Sequence, residues 1–240
     1  MANLADSRTG SSGSNSSKKG VNIYRGAGEG SRFLTAAFKA VTRIIARTYV
    51  RLSVEGLENV PDEGACIIIT NHISGLDPFV IGIPMGRTIY CLAKVELYQN
   101  ALLTWILNSL GFIPLDRHAT DTAAMRIVLK VLKEGHPLGI SPEGTRSPDG
   151  EMLPFTHGAT KLALHAQVPI LPVAVHGTRE LMPPGTYGFK SGRAYIKIGE
   201  LFDLSDSYGK PITPQLLEEN TPILEAKVSE LYEEIRQRPL

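Results

Sequence analysis

At 240 residues, 42% hydrophobic and 20% charged, the chain has the make-up of a folded globular protein, long enough to bury a core without covalent staples. A formal net charge of +1 lacks the basic excess of a nucleic-acid binder, so no nucleic-acid partner is expected. The 2 cysteines, Cys66 and Cys91, lie in separate apolar runs and read as small buried hydrophobes, not as a metal site or a disulfide framework. That usage fits a reducing compartment.

Residues 1–31 open the chain with a polar tail rich in Ser and Gly. Such a segment buries too little surface to offset ordering and is expected to be disordered. It carries no apolar stretch of the kind a signal peptide needs. Residues 32–50 show the first periodic pattern. Arg32, Lys39, Arg43 and Arg47 share one helical face, and Phe33, Leu34, Phe38, Val41, Ile44, Ile45 and Tyr49 share the other. With no acidic residue, this amphipathic helix either packs on the domain with a solvated basic face or lies in a membrane interface, cations toward anionic head groups. No run of about 18 apolar residues occurs, so no standard transmembrane helix is expected.

From 51 to 240 the chain reads as one domain. Strands are expected at 51–55, 65–70, 88–93, 138–141, 170–176 and 193–199, and helices at 78–85, 100–109, 120–134, 157–166 and 214–236. Gly and Pro mark most junctions. The alternation predicts an α/β fold with a mixed, mostly parallel sheet flanked by helices.

Four segments carry candidate chemistry. The first runs from Asn71 to Pro78, after an expected strand, where sites of open α/β sheets gather. His72 suits a general base because its ordinary pKa lies near neutrality. Asp77 follows five residues on. On one continuous helix the two would diverge. They converge if His72 stays in the loop, Gly75 permits a turn, and Pro78 opens a helix. Asp77 would then orient one imidazole nitrogen and leave the other free, a base-and-orienter pair without a protein nucleophile. The competing reading makes Asp77 a helix N-cap and His72 structural.

The second segment, Gly111 to Arg117, ends in Asp116 and Arg117; it is either an anion fork or a surface ion pair. The third, Ser141 to Ser147, follows another strand. Gly144 permits close backbone approach, and Thr145, Arg146 and Ser147 offer donors to a phosphate. Glu143 can accept from a substrate hydroxyl or hold Arg146. The alternative is a polar turn. The fourth, Val168 to Val175, reads as a buried strand interrupted by Pro172, which suggests an edge, a bulge or a bend around a ligand.

Together and in this order, the four segments resemble the glycerolipid acyltransferases that include 1-acylglycerol-3-phosphate acyltransferase. Asn71–Asp77 is similar to that family's His-x4-Asp motif, Gly111–Arg117 to its second motif, Ser141–Ser147 to its third and Val168–Val175 to its fourth. Ala93–Leu97 resembles a segment lying between the first two. The likeness covers roughly residues 50–205. It implies acyl transfer from a thioester, on coenzyme A or acyl carrier protein, to the free hydroxyl of lysophosphatidic acid. His72 would be the base and Asp77 its orienter, while Arg117, Glu143, Gly144, Thr145 and Arg146 would hold the acceptor and its phosphate. It also implies peripheral attachment to the cytoplasmic face of a membrane, and it favours the interfacial reading of 32–50.

No cofactor beyond the thioester co-substrate is expected, and no metal, since no cluster has ligand spacing. One departure is visible: a segment often Phe-Lys-x-Gly-like in the family is here Phe155-Thr156-His157-Gly158, with His157 a weak substitute for a phosphate-binding lysine. The apolar stretch 97–110 reads as core, as an acyl-chain groove or as a lipid contact. Rival functions are transfer to another acceptor (glycerol-3-phosphate or an amino-lipid), a non-catalytic phospholipid-binding membrane module, and thioester hydrolysis.

Overall fold

A computed structural model describes residues 48–115, 121–183 and 190–240, together with residues 40, 41, 44, 186 and 188. The expected tail 1–31, most of helix 32–50, and Arg117 lie outside these. Of the expected N-terminal helix, residues 40, 41, 44 and 48 are helical and exposed.

The described residues form one seven-stranded sheet in the order β1-β7-β6-β2-β5-β3-β4. The strands are β1 (Leu52–Glu55), β2 (Ile67–Thr70), β3 (Tyr90–Lys94), β4 (Phe112–Leu115), β5 (Leu138–Ile140), β6 (Ile170–His176) and β7 (Ala194–Ile198). Every pairing is parallel except β6 with β7. The helices are α1 (Asp77–Gly82), α2 (Ala101–Ser109), α3 (Asp121–Lys133), α4 (His157–Ala166), α5 (Thr178–Leu181) and α6 (Pro214–Ile235). The mixed, mostly parallel sheet is the one expected.

Strand alternation divides the core. In β2, Ile67 and Ile69 face a layer containing Val131 and Leu132 of α3, Leu162 of α4 and Leu224 and Val228 of α6. Ile68 faces the other layer, with Val80 and Ile81 of α1 and Leu181 of α5. All three isoleucines are buried, each stabilising the fold by roughly 1.5–3 kcal/mol. Helix α6 closes the first layer. Its Thr213 cap accepts from the Leu216 amide at 3.2 Å, and Leu216, Leu224, Val228 and Tyr232 make its buried stripe.

Two elements, β4 and α5, go beyond the expected set. Strand β4 includes Pro114 and sits at the sheet edge beside β3, where a missing N–H is tolerated. Pro172 has the opposite placement, inside β6 between β2 and β7. Ile170 bridges Phe202, whereas Val173 pairs with Ile198, so residues 171–172 oppose residues 199–201. The extra residue, within 199–201, makes a bulge opposite Pro172, one of the readings the proline suggested. There the Gly199 N–H donates to the Pro172 carbonyl at 2.9 Å. A side chain at Gly199 would meet the proline ring at 2.9 Å, so the ring fills that space.

Candidate active site

Strands β6, β2 and β5 are adjacent and parallel through β2, so their carboxyl ends emerge side by side. The loop after β2 carries His72, the loop after β5 carries residues 141–147, and β6 runs into Thr178. Three stretches far apart in sequence therefore meet at one edge.

His72 Nδ1 lies 2.8 Å from Asp77 Oδ2. A carboxylate only accepts, so Nδ1 carries the shared proton and Nε2 is the bare nitrogen. Nε2 makes no hydrogen bond among the described residues, and the His72 side chain is 26% exposed. Asp77 begins α1 with Pro78 behind it, as the spacing predicted. Its side chain does not cap its own helix. It turns back into the loop, where the Ile73 and Ser74 amides each donate to Oδ2 at 2.8 Å. The second oxygen, Oδ1, accepts from Thr178 Oγ1 at 2.5 Å. Asp77 is 1% exposed.

Further contacts hold the loop. The Asn71 side chain donates to the Val175 carbonyl at 2.9 Å and accepts from the Val175 amide at 2.8 Å, extending the β2–β6 ladder. Ser74 Oγ donates to the Met182 carbonyl at 3.1 Å. The Ser147 amide donates to the His72 carbonyl at 2.8 Å, joining the first and third segments. At Gly75 a Cβ would lie 2.7 Å from Met182 Cε and 3.9 Å from Arg146 Nη1, so the missing side chain lets both approach the loop.

Glu143 is 5% exposed and turns inward. Its Oε1 accepts from the His72 amide at 2.9 Å, while Oε2 is buried without a hydrogen-bond partner among the described residues. Burial pushes its carboxyl up to about 7, against the lowering pull of the His72 and Leu153 amides. Gly144 has φ 71, the left-handed region glycine favours. Gly144, Thr145 and Arg146 are exposed, and Arg146 forms no ion pair among the described residues. His157 Nδ1 lies 2.9 Å from Thr221 Oγ1 of α6, and Thr156 Oγ1 donates to the Pro142 carbonyl at 2.7 Å. The segment that departs from the family pattern thus braces the third loop from behind.

Of the sequence-predicted residues, His72, Asp77, Glu143 and Arg146 are brought together, with Gly144 and Thr145 on the outer side of the same loop. Sequence reasoning missed Asn71, Ser74 and Thr178. Asn71 and Ser74 lie within the first motif and could have been flagged as loop formers. Thr178 is 101 residues from Asp77, with no local pattern to mark it.

Burial pushes the Cys66 thiol up to about 11 and the Cys91 thiol up to about 12. Cys91 is part-exposed as a residue, but its Sγ packs on Gly139, 2.8 Å from where a Cβ would sit. Neither thiol is poised as a nucleophile. No group of three or more His, Cys, Asp or Glu side chains is placed to hold a metal among the described residues. The stretch 97–110 is not core throughout. Leu107 is buried, but Leu102 is 68% exposed and Leu97 also faces outward, as does Val95 just before the stretch.

The acyltransferase family profile matches residues 51–176. A 1-acyl-sn-glycerol-3-phosphate acyltransferase of Pseudomonas aeruginosa is 31% identical over 201 residues, spanning 81% of this chain and 73% of that protein. The enzyme of the same description from Bacillus subtilis is 29% identical, spanning 78% of this chain and 90% of that protein. A chloroplastic relative from Brassica napus is 29% identical over 58% of this chain, which spans only 41% of that protein. The crystal structure of the 1-acyl-sn-glycerophosphate acyltransferase PlsC from Thermotoga maritima superposes with a TM-score of 0.69 at 28% identity, covering 86% of this chain and 82% of that one.

Proposed function

The chain belongs to the acyltransferase family, and we propose that it moves a fatty acyl group from a coenzyme A or carrier-protein thioester to the free hydroxyl of 1-acylglycerol-3-phosphate, yielding phosphatidic acid. The observation that carries this reading is the His72–Asp77 pair: Nδ1 held at 2.8 Å by a buried carboxylate, Nε2 without a hydrogen bond among the described residues at the sheet edge. Nε2 takes the proton of the acceptor hydroxyl as that oxygen attacks the thioester carbonyl. The imidazolium that forms is stabilised by Asp77, and the proton passes to the departing thiolate as the carbon–sulfur bond breaks. General-base help of this kind is worth roughly 10²–10⁴ in rate.

Arg146 binds the acceptor phosphate, together with the exposed Gly144 and Thr145 of its loop and with Arg117. The Arg146 guanidinium, near Gly75 and without an ion pair among the described residues, supports this assignment. Holding the phosphate there places the hydroxyl beside His72, a contribution of proximity. Glu143 serves the acceptor site indirectly, by fixing the His72 backbone through its amide.

The protein works from the surface of a membrane leaflet, on the cytoplasmic side. Val95 and Leu97 follow the carboxyl end of β3, on the same sheet edge as His72, and with Leu102 of α2 they turn apolar side chains outward. Contact of these side chains with lipid would bring the base to its acceptor. No described helix is long and apolar enough to cross a membrane.

The deciding experiment measures thiol release from coenzyme A and carrier-protein thioesters, with and without lysophosphatidic acid, in vesicles. Wild type and His72→Ala are compared. Release that depends on the acceptor and vanishes in the variant is the expected outcome. Release without acceptor would make the protein a thioesterase. Lipid binding without any release, across an acceptor screen, would make it a binding module.

A further inference from the structure

We propose that Thr178 is a positioning residue for the transfer: its hydroxyl fixes the Asp77 carboxylate so that the opposite oxygen faces His72, making Thr178–Asp77–His72 a three-residue relay. The catalytic consequence rests on the acyl-transfer reading above; the relay itself rests on geometry.

The two oxygens of Asp77 are occupied differently. Oδ2 receives His72 Nδ1–H and the amides of Ile73 and Ser74, all at 2.8 Å. Among the described residues, Oδ1 receives only Thr178 Oγ1, at 2.5 Å. The carboxylate accepts only, so the threonine hydroxyl is the donor. Asp77 is 1% exposed and Thr178 is fully buried, so water cannot replace that donor. An aspartate carboxyl turns in a broad torsional well. The bond at Oδ1 stops it from turning, and it offsets part of the negative charge that the buried group must carry.

The placement of Thr178 is itself held firmly. Gly177, at φ 86, turns the chain from β6 into α5, and a Cβ there would lie 2.4 Å from the Arg193 carbonyl. Upstream, Val175 is tied to the catalytic loop by both hydrogen bonds of Asn71. The β2–β6 pairing, the Asn71 clasp and the Gly177 turn thus set the distance between Thr178 and Asp77. The β-branched side chain limits its own χ1 freedom, which a serine would not do.

The test compares Thr178→Val, Thr178→Ala and Thr178→Ser in the full chain. Losing one hydrogen bond to a buried charge should lower kcat by about 10- to 100-fold in the valine and alanine variants. KM for donor and acceptor should stay unchanged, and Thr178→Ser should hold kcat within about threefold of wild type. In an Asp77→Ala background, Thr178→Val should cost little further, because no carboxylate is left for it to position. A readout free of turnover is the far-downfield Nδ1–H proton resonance of His72, which should move or broaden in Thr178→Val. Full kcat in both hydroxyl-less variants would overturn the proposal, as would an unmoved His72 resonance or an equal loss in the Asp77→Ala background. A displaced resonance in a protein that transfers nothing to lysophosphatidic acid would uphold the relay and sink the acceptor assignment.

Discussion

Replacing Asp77 with asparagine keeps the size and much of the hydrogen bonding of the site but removes its charge. The amide oxygen can still accept from Ile73, Ser74 and His72, and the amide nitrogen can donate to Thr178. What disappears is the attraction between the carboxylate and the imidazolium that forms as His72 takes the acceptor's proton. At the observed 2.8 Å separation, an effective dielectric of about 20 sets that attraction near 6 kcal/mol, or about 10⁴ in rate. Solvent at the part-exposed imidazole trims this figure, so Asp77→Asn should lower kcat by about 10³–10⁴-fold. The assay is acceptor-dependent thiol release at saturating substrates, with thermal unfolding measured alongside. Tm should change little. A loss below about tenfold with folding intact would refute the role given to the charge.

Arg146→Ala should raise KM for lysophosphatidic acid by about 10- to 100-fold, with kcat nearly kept, since one charge-assisted bond to phosphate is lost. An equal effect on a monoacylglycerol acceptor, which has no phosphate, would remove Arg146 from the phosphate site. Glu143 ties stability to pH. Its carboxyl titrates near the ordinary 4.5 when unfolded and at about 7 in the fold, so the folded state holds an extra proton between those values. Its contribution is greatest below 4.5 and declines as pH rises through about 7. Glu143→Gln should flatten that decline, read as Tm against pH; a profile parallel to wild type would count against it. Asn71→Ala strips two buried backbone groups of Val175 of their partners and should cost about 2–4 kcal/mol by denaturant unfolding. A cost under about 1 kcal/mol would mean the clasp is not holding β6 to the loop.

Much of this was legible in the chain. Alternating strand and helix segments placed the α/β fold because burial on both faces makes β2 a continuous apolar run, while burial on one side gives α6 a helical stripe. The His72-to-Asp77 spacing, with Gly75 and Pro78, already required a loop followed by a helix start, because neither a strand nor a continuous helix lets the two side chains meet. Polar loops at strand ends pointed to Arg146 and Glu143. Local pattern could not give the order of the strands, because pairing joins segments with no sequence period in common. β6 and β5 flank β2, and only that arrangement brings Thr178 and Glu143 to the His72 loop. It also decided that Glu143 turns inward, that Pro172 sits at a bulge inside the sheet, and that α2 leaves Leu102 exposed. Residue types and short spacings determined the chemistry on offer; long-range packing, which places groups 101 residues apart within 2.5 Å, decided which of them act together.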